Sequence, residues 1–390
     1  MRGDENPSEA TLATHRASPI RLHRLELKQF RNYSYQELQL ETPRLLLIGN
    51  NGEGKSNLLE AVELLGSLHS NRCKNDHDLI RQGHSSSTIS AIIDSEDSIE
   101  LTIQEHGGRQ AKRNGKKLER QHDLLNSLRC VGFSSLDLQL VRGEPALRRQ
   151  WLDKVVIKLE PVYNELLNNY KRLLKQRNQL LRKDISNNNR NELLDIFDQQ
   201  LSLISARIHR RRYRALKRLE PLAVYWQQQL SKGREELALV YKSGISFIGE
   251  ESEDSCRNKL LMQLKKQRQN ELYTYRCTVG PHRDEIDIML NGMFARYYGS
   301  AGQQRTTVLA LKIAELELIN QVHKDPPILI LDDVMAELDS GRQELLLKTM
   351  GANYQCLISS TNLDIFTPDW RKNSQVIEVV SGHLKSVEQN

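Results

Sequence analysis

The sequence predicts an α/β protein in which a mixed sheet with helices forms a head and an α-helical arm is inserted into its middle. Three observations predict it. The stretch "GNNGEGKS" lies between an apolar run and a helical pattern, a second apolar run ends in two aspartates ("ILILDD"), and the long charged block between them carries helical apolar spacing.

The chain opens on residues 1–19, rich in small, polar and charged side chains, which read as a disordered tail. Leu22 to Phe30 and Tyr35 to Leu40 read as strands joined by a turn at Arg31-Asn32, and Arg44 to Ile48 as a short buried strand. Gly49, Asn50, Asn51, Gly52, Glu53, Gly54, Lys55, Ser56 and Asn57 follow, matching G-x-x-x-x-G-K-[ST]. In such a loop glycines let backbone N–H groups curl round phosphates, the lysine reaches the outer phosphates and the hydroxyl holds Mg²⁺. From Lys55 to Leu68 the apolar residues Leu58, Leu59, Val62 and Leu65 share one helix face, so a helix N-terminus is aimed at the anion. "AKRNGKKLER" centres on Asn114-Gly115, a two-residue hairpin turn. Residues 20–139 are therefore expected to form the first part of the head.

From about Leu140 the texture changes. Trp151 to Arg182, Asn191 to Arg214 and Arg257 to Leu264 carry helical spacing, and "DISNNNRN" (Asp184 to Asn191) reads as an exposed turn between helices, which makes 140–268 a helical arm. Strand patterns return at Glu271 to Val279, Ile286 to Leu290, Ile328 to Leu331, Gln355 to Ser359 and Gln375 to Val380, so 269–390 completes the head.

Bulk properties narrow the class. The 390 residues carry a net charge of +6, and the mean hydropathy is −0.58. No apolar run is long enough to cross a bilayer and the first residues lack an export segment, so a cytoplasmic protein is expected. Cys73, Cys130, Cys256, Cys277 and Cys356 lie far apart, suggesting reduced structural thiols rather than a zinc set or a disulfide framework.

The second half of a nucleotide site follows Pro326-Pro327. A buried strand ending in Asp332 is what a P-loop protein needs to support the Mg²⁺ shell, and Asp333 beside it is placed to orient or deprotonate an attacking water. The plainer alternative is a strand capped by solvated charge. Ahead of that strand, Ser300, Gly302 and Gln303 start a helix, giving a second anion site in the chain. One nucleotide does not need two, so the economical arrangement is a homodimer in which each serine-glycine helix start faces the γ-phosphate on the partner's loop. An ordinary helix cap is the alternative. ATP and Mg²⁺ are the expected cofactors.

Two basic clusters suit a nucleic-acid backbone. Lys112, Arg113, Lys116, Lys117 and Arg120 crowd one hairpin, and Arg207, Arg210, Arg211, Arg212, Arg214, Lys217 and Arg218 crowd one helix. A solvated face with counter-charges is the alternative. Aromatic residues are sparse, which favours duplex backbone contact over stacking on unpaired bases. His282, Arg283 and Asp284 follow a strand pattern and read as a structural hydrogen-bond network in preference to a DNA or dimer surface; no second ligand is suitably spaced for His282 to hold a metal.

The combination of motifs resembles the ABC-type ATPase heads of the SMC class, and within it the RecF family of bacterial recombination mediators. The phrases that carry it run in order through nearly the whole chain beyond residue 20: "LELKQFRNY", "GNNGEGKSNLLEAV", "LIRQG", "LVRGEPALRRQWLD", "YKRLLKQRNQLL", "TVGPHRDE", "SAGQQRTTVLALKIAE" and "LDDVMAELD". The resemblance implies that Lys55 and Ser56 hold phosphates and Mg²⁺, that Asp332 supports the metal and that Asp333 is the catalytic carboxylate. It implies that Ser300, Gly302 and Gln303 complete the partner's pocket, with Asp339 in the turn crossing the interface. Arg31 and Asn32 match a pair near the nucleotide, and Thr361 matches a γ-phosphate sensor. It further implies a slow, DNA-stimulated ATPase that binds DNA at gaps or single-strand/duplex junctions and works with RecO and RecR to help RecA load. Ala301 stands where the family's S-Q-G-Q-Q-R has glutamine, and "SNRCKNDHDLI" is a loose version of its S-F-R-T segment; these departures bear on signature geometry and turnover. Competing expectations are another ABC head, such as a transporter subunit or a long-armed SMC protein, and a DNA scaffold that binds ATP without hydrolysing it.

Overall fold

The computed structural model describes residues 21–387 except 74, 95, 184–186, 246–248 and 352. The expected N-terminal tail lies outside them. The head begins with β1 (Leu22–Phe30) and β2 (Tyr33–Gln39), followed by β3 (Arg44–Ile48), α1 (Lys55–Ser67), β4 (Ser86–Ile93), β5 (Asp97–Gln104), β6 (Gly108–Arg113) and β7 (Lys116–Lys117). An antiparallel sheet runs in the order β2-β1-β4-β5-β6-β7. Its period-2 pattern buries Ile89, Ala91 and Ile93 of β4 and Ile99, Leu101 and Ile103 of β5 on one face. The β6–β7 turn is the expected one: Asn114 (φ 50°) and Gly115 (φ 73°) both take left-handed backbone, as a two-residue type I′ hairpin requires.

β8 (Cys130–Ser134) leads into α2 (Gln139–Arg142), α3 (Pro145–Leu159), α4 (Tyr163–Arg182) and α5 (Asn187–Ser231). Two expectations change here. Asn187 to Asn191 belong to α5 rather than to an exposed turn, residues 184–186 lying outside the described set, and α5 continues through Pro221 to a length of 45 residues. A proline ordinarily stops or kinks a helix, yet α5 runs past Pro221, well beyond the spacing that ends at Arg214. The next elements are β9 (Leu237–Lys242) and α6 (Glu253–Thr274). Glu271 to Thr274 are the last turn of α6, and no strand forms through Val279. The reason is electrostatic: fully buried Glu271 meets fully buried Arg177 of α4 at 2.7 Å, and Arg177 also meets Asp198 of α5 at 2.7 Å. Thr278 then folds back, its N–H donating to Glu271 Oε1 at 2.6 Å. This ion cluster fastens α4, α5 and α6 of the arm to one another.

β10 (Glu285–Leu290) and β11 (Met293–Phe294) join β9 in a three-stranded antiparallel sheet, so the stretch 140–268 expected to form a helical arm contributes one strand. The chain closes with α7 (Ala295–Tyr298), α8 (Ala301–His323), β12 (Ile328–Asp332), α9 (Ser340–Gly351), β13 (Cys356–Ser360), α10 (Pro368–Lys372), β14 (Gln375–Val380) and β15 (His383–Ser386). The third sheet runs β15-β14-β3-β13-β12-β8, with β14, β3, β13, β12 and β8 parallel. Both its faces are covered, which explains the unbroken apolar runs. Leu45, Leu47, Ile328 and Ile330 pack in the core containing α1, whereas Leu46, Leu329 and Leu331 face the core containing α8. In such a sheet the carboxyl ends of the strands collect the ligand groups, and those of β3, β12 and β13 lie side by side.

The five cysteines are free, and burial pushes the thiols of Cys130, Cys256, Cys277 and Cys356 up to about 12. Among the described residues no helix is long and apolar enough to cross a membrane.

Candidate active site

The loop between β3 and α1 is held open by contacts that only its sequence permits. Gly49 has φ 154°, and a Cβ there would meet Val379 O at 2.4 Å; Gly54 has φ 115°, and a Cβ would strike Asn32 Nδ2 at 2.6 Å. Tyr33 OH donates to Gly54 O at 3.0 Å, and Gly382 N–H donates to Glu53 O at 3.0 Å. The Glu53 carboxylate also accepts from Ser381 N–H. The hairpins β1–β2 and β14–β15 thus brace the loop from two sides. Lys55, only 3% exposed, donates through Nζ to Gly49 O at 2.9 Å and to Asn50 O at 3.0 Å. Its ammonium is folded into the curl of the loop, where phosphates would displace the carbonyls as partners.

Strand β12 delivers its carboxylates to the same place. Ser56 Oγ donates to Asp332 Oδ1 at 2.7 Å. That oxygen also accepts from Ser359 Oγ at 2.8 Å, and Ser359 Oγ accepts from Asp333 N–H at 2.9 Å. Ser359 is the site residue the sequence reading missed. The signal available was a run of hydroxyls, Ser359-Ser360-Thr361, at the end of a strand flanking both the loop strand and the aspartate strand. Thr361 itself directly follows β13, whose last pair is Ser360 with Ile48.

Asp333 leaves the strand with φ 55°, a left-handed conformation that aspartate tolerates better than most residues but still at a cost of roughly 1 kcal/mol or more. Its Oδ1 is buried with no hydrogen-bond partner among the described residues. Burial pushes its carboxyl above the usual aspartate range, Lys55 and a Ser359 hydrogen bond oppose the shift, and the Asp332 charge adds to it. A strained backbone aiming a half-buried, unpartnered carboxylate oxygen is the arrangement expected of a group waiting for a proton or a water.

Asn32 lies against the loop, accepting from Asn57 Nδ2 at 2.8 Å. Arg31 is turned elsewhere: its guanidinium grips Glu60 of α1 at 2.9 and 2.8 Å and Asp78 O at 2.8 Å, so it braces α1. Ser300 caps α8 reciprocally, accepting from Gln303 N–H at 3.2 Å while Gln303 Oε1 accepts from Ser300 N–H at 2.8 Å. Ala301 and Gly302 at this helix start are exposed, and a Cβ on Gly302 would find only Ser300 Oγ, at 4.0 Å. Arg305 of α8 reaches Glu337, beyond Asp333, at 3.4 Å, which couples the helix to the aspartate turn. Asp339 caps α9, accepting from Arg342 N–H at 3.1 Å and pairing with its guanidinium at 2.6 Å.

The basic clusters are largely countered. Lys112 meets Glu100 at 2.7 Å and Arg113 meets Asp97 at 2.5 Å, leaving exposed Lys116 and Lys117 at the hairpin tip. On α5, Arg207 and Arg210 share Glu253, at 3.0 and 3.9 Å, and Arg211 and Arg214 share Glu160, at 3.0 and 3.3 Å. Arg212 is buried. It binds Asp153 of α3 at 2.9 Å, Asp284 at 2.9 Å and Pro281 O at 2.7 Å, while Tyr170 OH and His282 Nδ1 are hydrogen-bonded. "GPHRDE" is therefore a structural junction between the arm helices and the returning head.

Comparison with known proteins agrees with this geometry. The model of the RecF/RecN/SMC N terminal domain matches residues 21–384. The DNA replication and repair protein RecF of Synechococcus sp. (strain CC9605) is 55% identical over 352 residues, covering 90% of this chain and 97% of that protein. The RecF of Picosynechococcus sp. (strain ATCC 27264 / PCC 7002 / PR-6) is 45% identical over 375 residues, covering 93% and 96%. Among solved structures, the recombination mediator protein RecF with ATP, of the RecFOR pathway, superposes with a TM-score of 0.87 at 29% identity, covering 96% of this chain and 99% of that one. An Smc head domain from Pyrococcus furiosus, bound to the C-terminal domain of ScpA, matches with a TM-score of 0.53 at 17% identity over 94% and 96%, a likeness of fold alone. With an SMC-type ATPase head, a braced P-loop facing the Asp332-Asp333 strand end, and relatives matched over nearly their full length, the chain belongs to the RecF family of DNA replication and repair proteins.

Proposed function

We propose that the chain is an ATP-gated DNA clamp: ATP closes a homodimer on duplex DNA at gaps or single-strand/duplex junctions, and slow hydrolysis reopens it. The observation that carries the ATPase part is the cluster in which Ser56, Asp332, Ser359 and Asp333 converge beside Lys55. A hydroxyl and a carboxylate oxygen 2.7 Å apart are hard donors of the kind Mg²⁺ takes, the rest of its shell coming from phosphates and water. Ser56 and Asp332 are the residues that would hold Mg²⁺ there, and the ion would supply charge neutralisation on the phosphates. Lys55 exchanges its loop carbonyls for the outer phosphates. Asp333 holds the attacking water in line and takes up its proton, its buried Oδ1 having no other hydrogen-bond partner among the described residues. The water's oxygen forms the new bond to the γ-phosphorus as the bond to the β-γ bridging oxygen breaks, releasing phosphate and leaving ADP.

The dimer follows from Ser300 and Gly302, an exposed, capped helix start with room at the glycine and a link through Arg305 to the aspartate turn. In this reading Ser300, Gly302, Gln303 and Asp339 complete the partner's site, and Thr361 senses the γ-phosphate. DNA would lie across the closed pair. Lys116 and Lys117 are its better candidate contacts, because the arginines of α5 would first have to leave Glu160 and Glu253. Work with RecO and RecR is supported by the RecFOR pathway in which the ATP-bound relative is described, and loading of RecA in the cytoplasm extends the same reading.

The DNA part is tested by duplex retention against salt, with Asp333→Asn loaded with Mg-ATP. Tight binding only with nucleotide, weakening steeply with salt, is the expected result. Binding that is equal with and without ATP would favour a passive scaffold.

A further inference from the structure

A cavity of about 500 Å³ lies away from the P-loop, between the last turn of α1, helices α3 and α4, and His282. Its size is that of a small-ligand site. Leu125, Ile157, Leu167 and Leu174 line it, as do six cationic side chains and one carboxylate, Asp153. Asp153 is already committed to Arg212 and to Tyr163 OH, at 2.9 and 2.6 Å. Of the cations, Arg212 is neutralised by that contact and by Asp284, and Lys158 by Glu315 at 2.7 Å. The others have no carboxylate partner closer than 3.4 Å among the described residues, although Glu63 acts on Lys154, and Asp284, Glu285 and Asp153 act on Arg149, from further away. Arg149 donates to a neutral backbone oxygen, Asp284 O, at 2.7 Å, Lys154 to the amide oxygen of Asn71, and Arg129 reaches Asp325 only at 3.4 Å. Lys171 is exposed on the α4 wall.

Charges gathered in a partly enclosed space with amide and carbonyl partners are unfavourable unless an anion is present. The titration behaviour agrees. Burial brings Lys154 down to about 8, with Glu63 opposing and Lys312 and Lys158 adding to the shift. His69, at the end of α1, is held down to about 4 by burial and the same Lys154.

We propose that this cavity is an anion site for a small oligophosphate, inorganic or nucleotide-borne, with Arg149 and Lys154 as its principal contacts and Lys171 and Arg129 at its edges. Arg149 and Lys154 sit five residues apart on α3, Lys171 faces them from α4 and Arg129 precedes β8, so several sides of one phosphate group can be met at once. Because α3 also carries Asp153, which holds Arg212, an occupied cavity would report to the junction between arm and head.

The test uses the full-length protein with its P-loop saturated by Mg-ATPγS, titrated calorimetrically with inorganic pyrophosphate. Saturable binding is expected, weakened on the order of tenfold or more in Arg149→Glu/Lys154→Glu. Unchanged ATPγS affinity would show that variant to be folded, and Lys171→Glu, on the exposed rim, should weaken pyrophosphate less but measurably. No pyrophosphate binding by the wild-type chain, or equal binding by the double variant, would overturn the proposal. So would a double variant that loses duplex DNA affinity when the wild type ignores pyrophosphate, because the cavity would then belong to a nucleic-acid surface.

Discussion

Asp333→Asn is expected to bind ATP with nearly wild-type affinity and to hydrolyse it roughly 10²- to 10⁴-fold more slowly, the usual contribution of a positioned acid-base group. The substitution keeps the side chain's shape and removes its basicity. Single-turnover hydrolysis beside nucleotide-binding titration separates the two steps. On the proposed mechanism the same carboxylate would set the acid limb of the wild-type pH profile of kcat/KM, which reports the nucleotide-free chain. In the chain free of Mg²⁺ and nucleotide its pKa is raised by burial, with Lys55 opposing and Asp332 adding, so there the base form is lost as pH falls at a higher pH than for a solvated aspartate. The sign for stability is the opposite of the usual carboxylate case. Above the raised pKa the folded chain carries an ionised group it disfavours, and therefore Asp333→Asn should melt slightly higher than wild type at neutral pH. A variant that hydrolyses at wild-type rate would remove Asp333 from the chemistry and point to Ser359 or Asp332 as the group ordering the water.

Arg177→Ala is the second large effect, this time on stability. Arg177, Asp198 and Glu271 are fully buried on α4, α5 and α6, and Arg268 completes the cluster by meeting Asp198 at 2.6 Å. Truncating the arginine leaves Glu271 without its cationic partner, with the neutral donors of Thr278, whose N–H and hydroxyl donate at 2.6 and 3.0 Å, and the neighbouring Cys277 thiol. Leaving a buried charge uncompensated costs about 3–5 kcal/mol, read as a fall in the urea midpoint of the arm's unfolding. Replacing the group together, Arg177→Met with Asp198→Leu and Glu271→Leu, should recover much of that loss, since a packed apolar cluster is often as stable as a buried ion group. An Arg177→Ala chain within 1 kcal/mol of wild type would mean that water enters the cluster and the arm helices are held by apolar packing alone.

The parts of the fold that were legible share a cause. β1, β14 and the Asn114-Gly115 turn match because alternation and left-handed turn residues are local signals. The P-loop and the Asp332-Asp333 strand were legible because backbone curvature and metal chemistry each demand particular residues at fixed spacing. What escaped depends on distant partners. Glu271 continues a helix because Arg177, far back in the sequence, needs its charge. Pro221 is tolerated inside a helix that tertiary packing already holds, with Leu219 and Ala223 fully buried beside it. The arginines of α5 read as an open basic face because their acids, Glu160 and Glu253, come from other segments. Ser359 could not be singled out among three consecutive hydroxyls until β13 was seen between β3 and β12.

The central claim is that ATP is shared between two copies of the chain, and molar mass by light scattering tests it most directly. Asp333→Asn, which should hold the nucleotide unhydrolysed, is measured without nucleotide and with saturating Mg-ATP. The account predicts a monomer that becomes a dimer only with Mg-ATP, and reversion to monomer when Ser300→Arg is added, with ATP still bound at the P-loop. A mass that stays monomeric with ATP bound, or a dimer indifferent to Ser300→Arg, would contradict it.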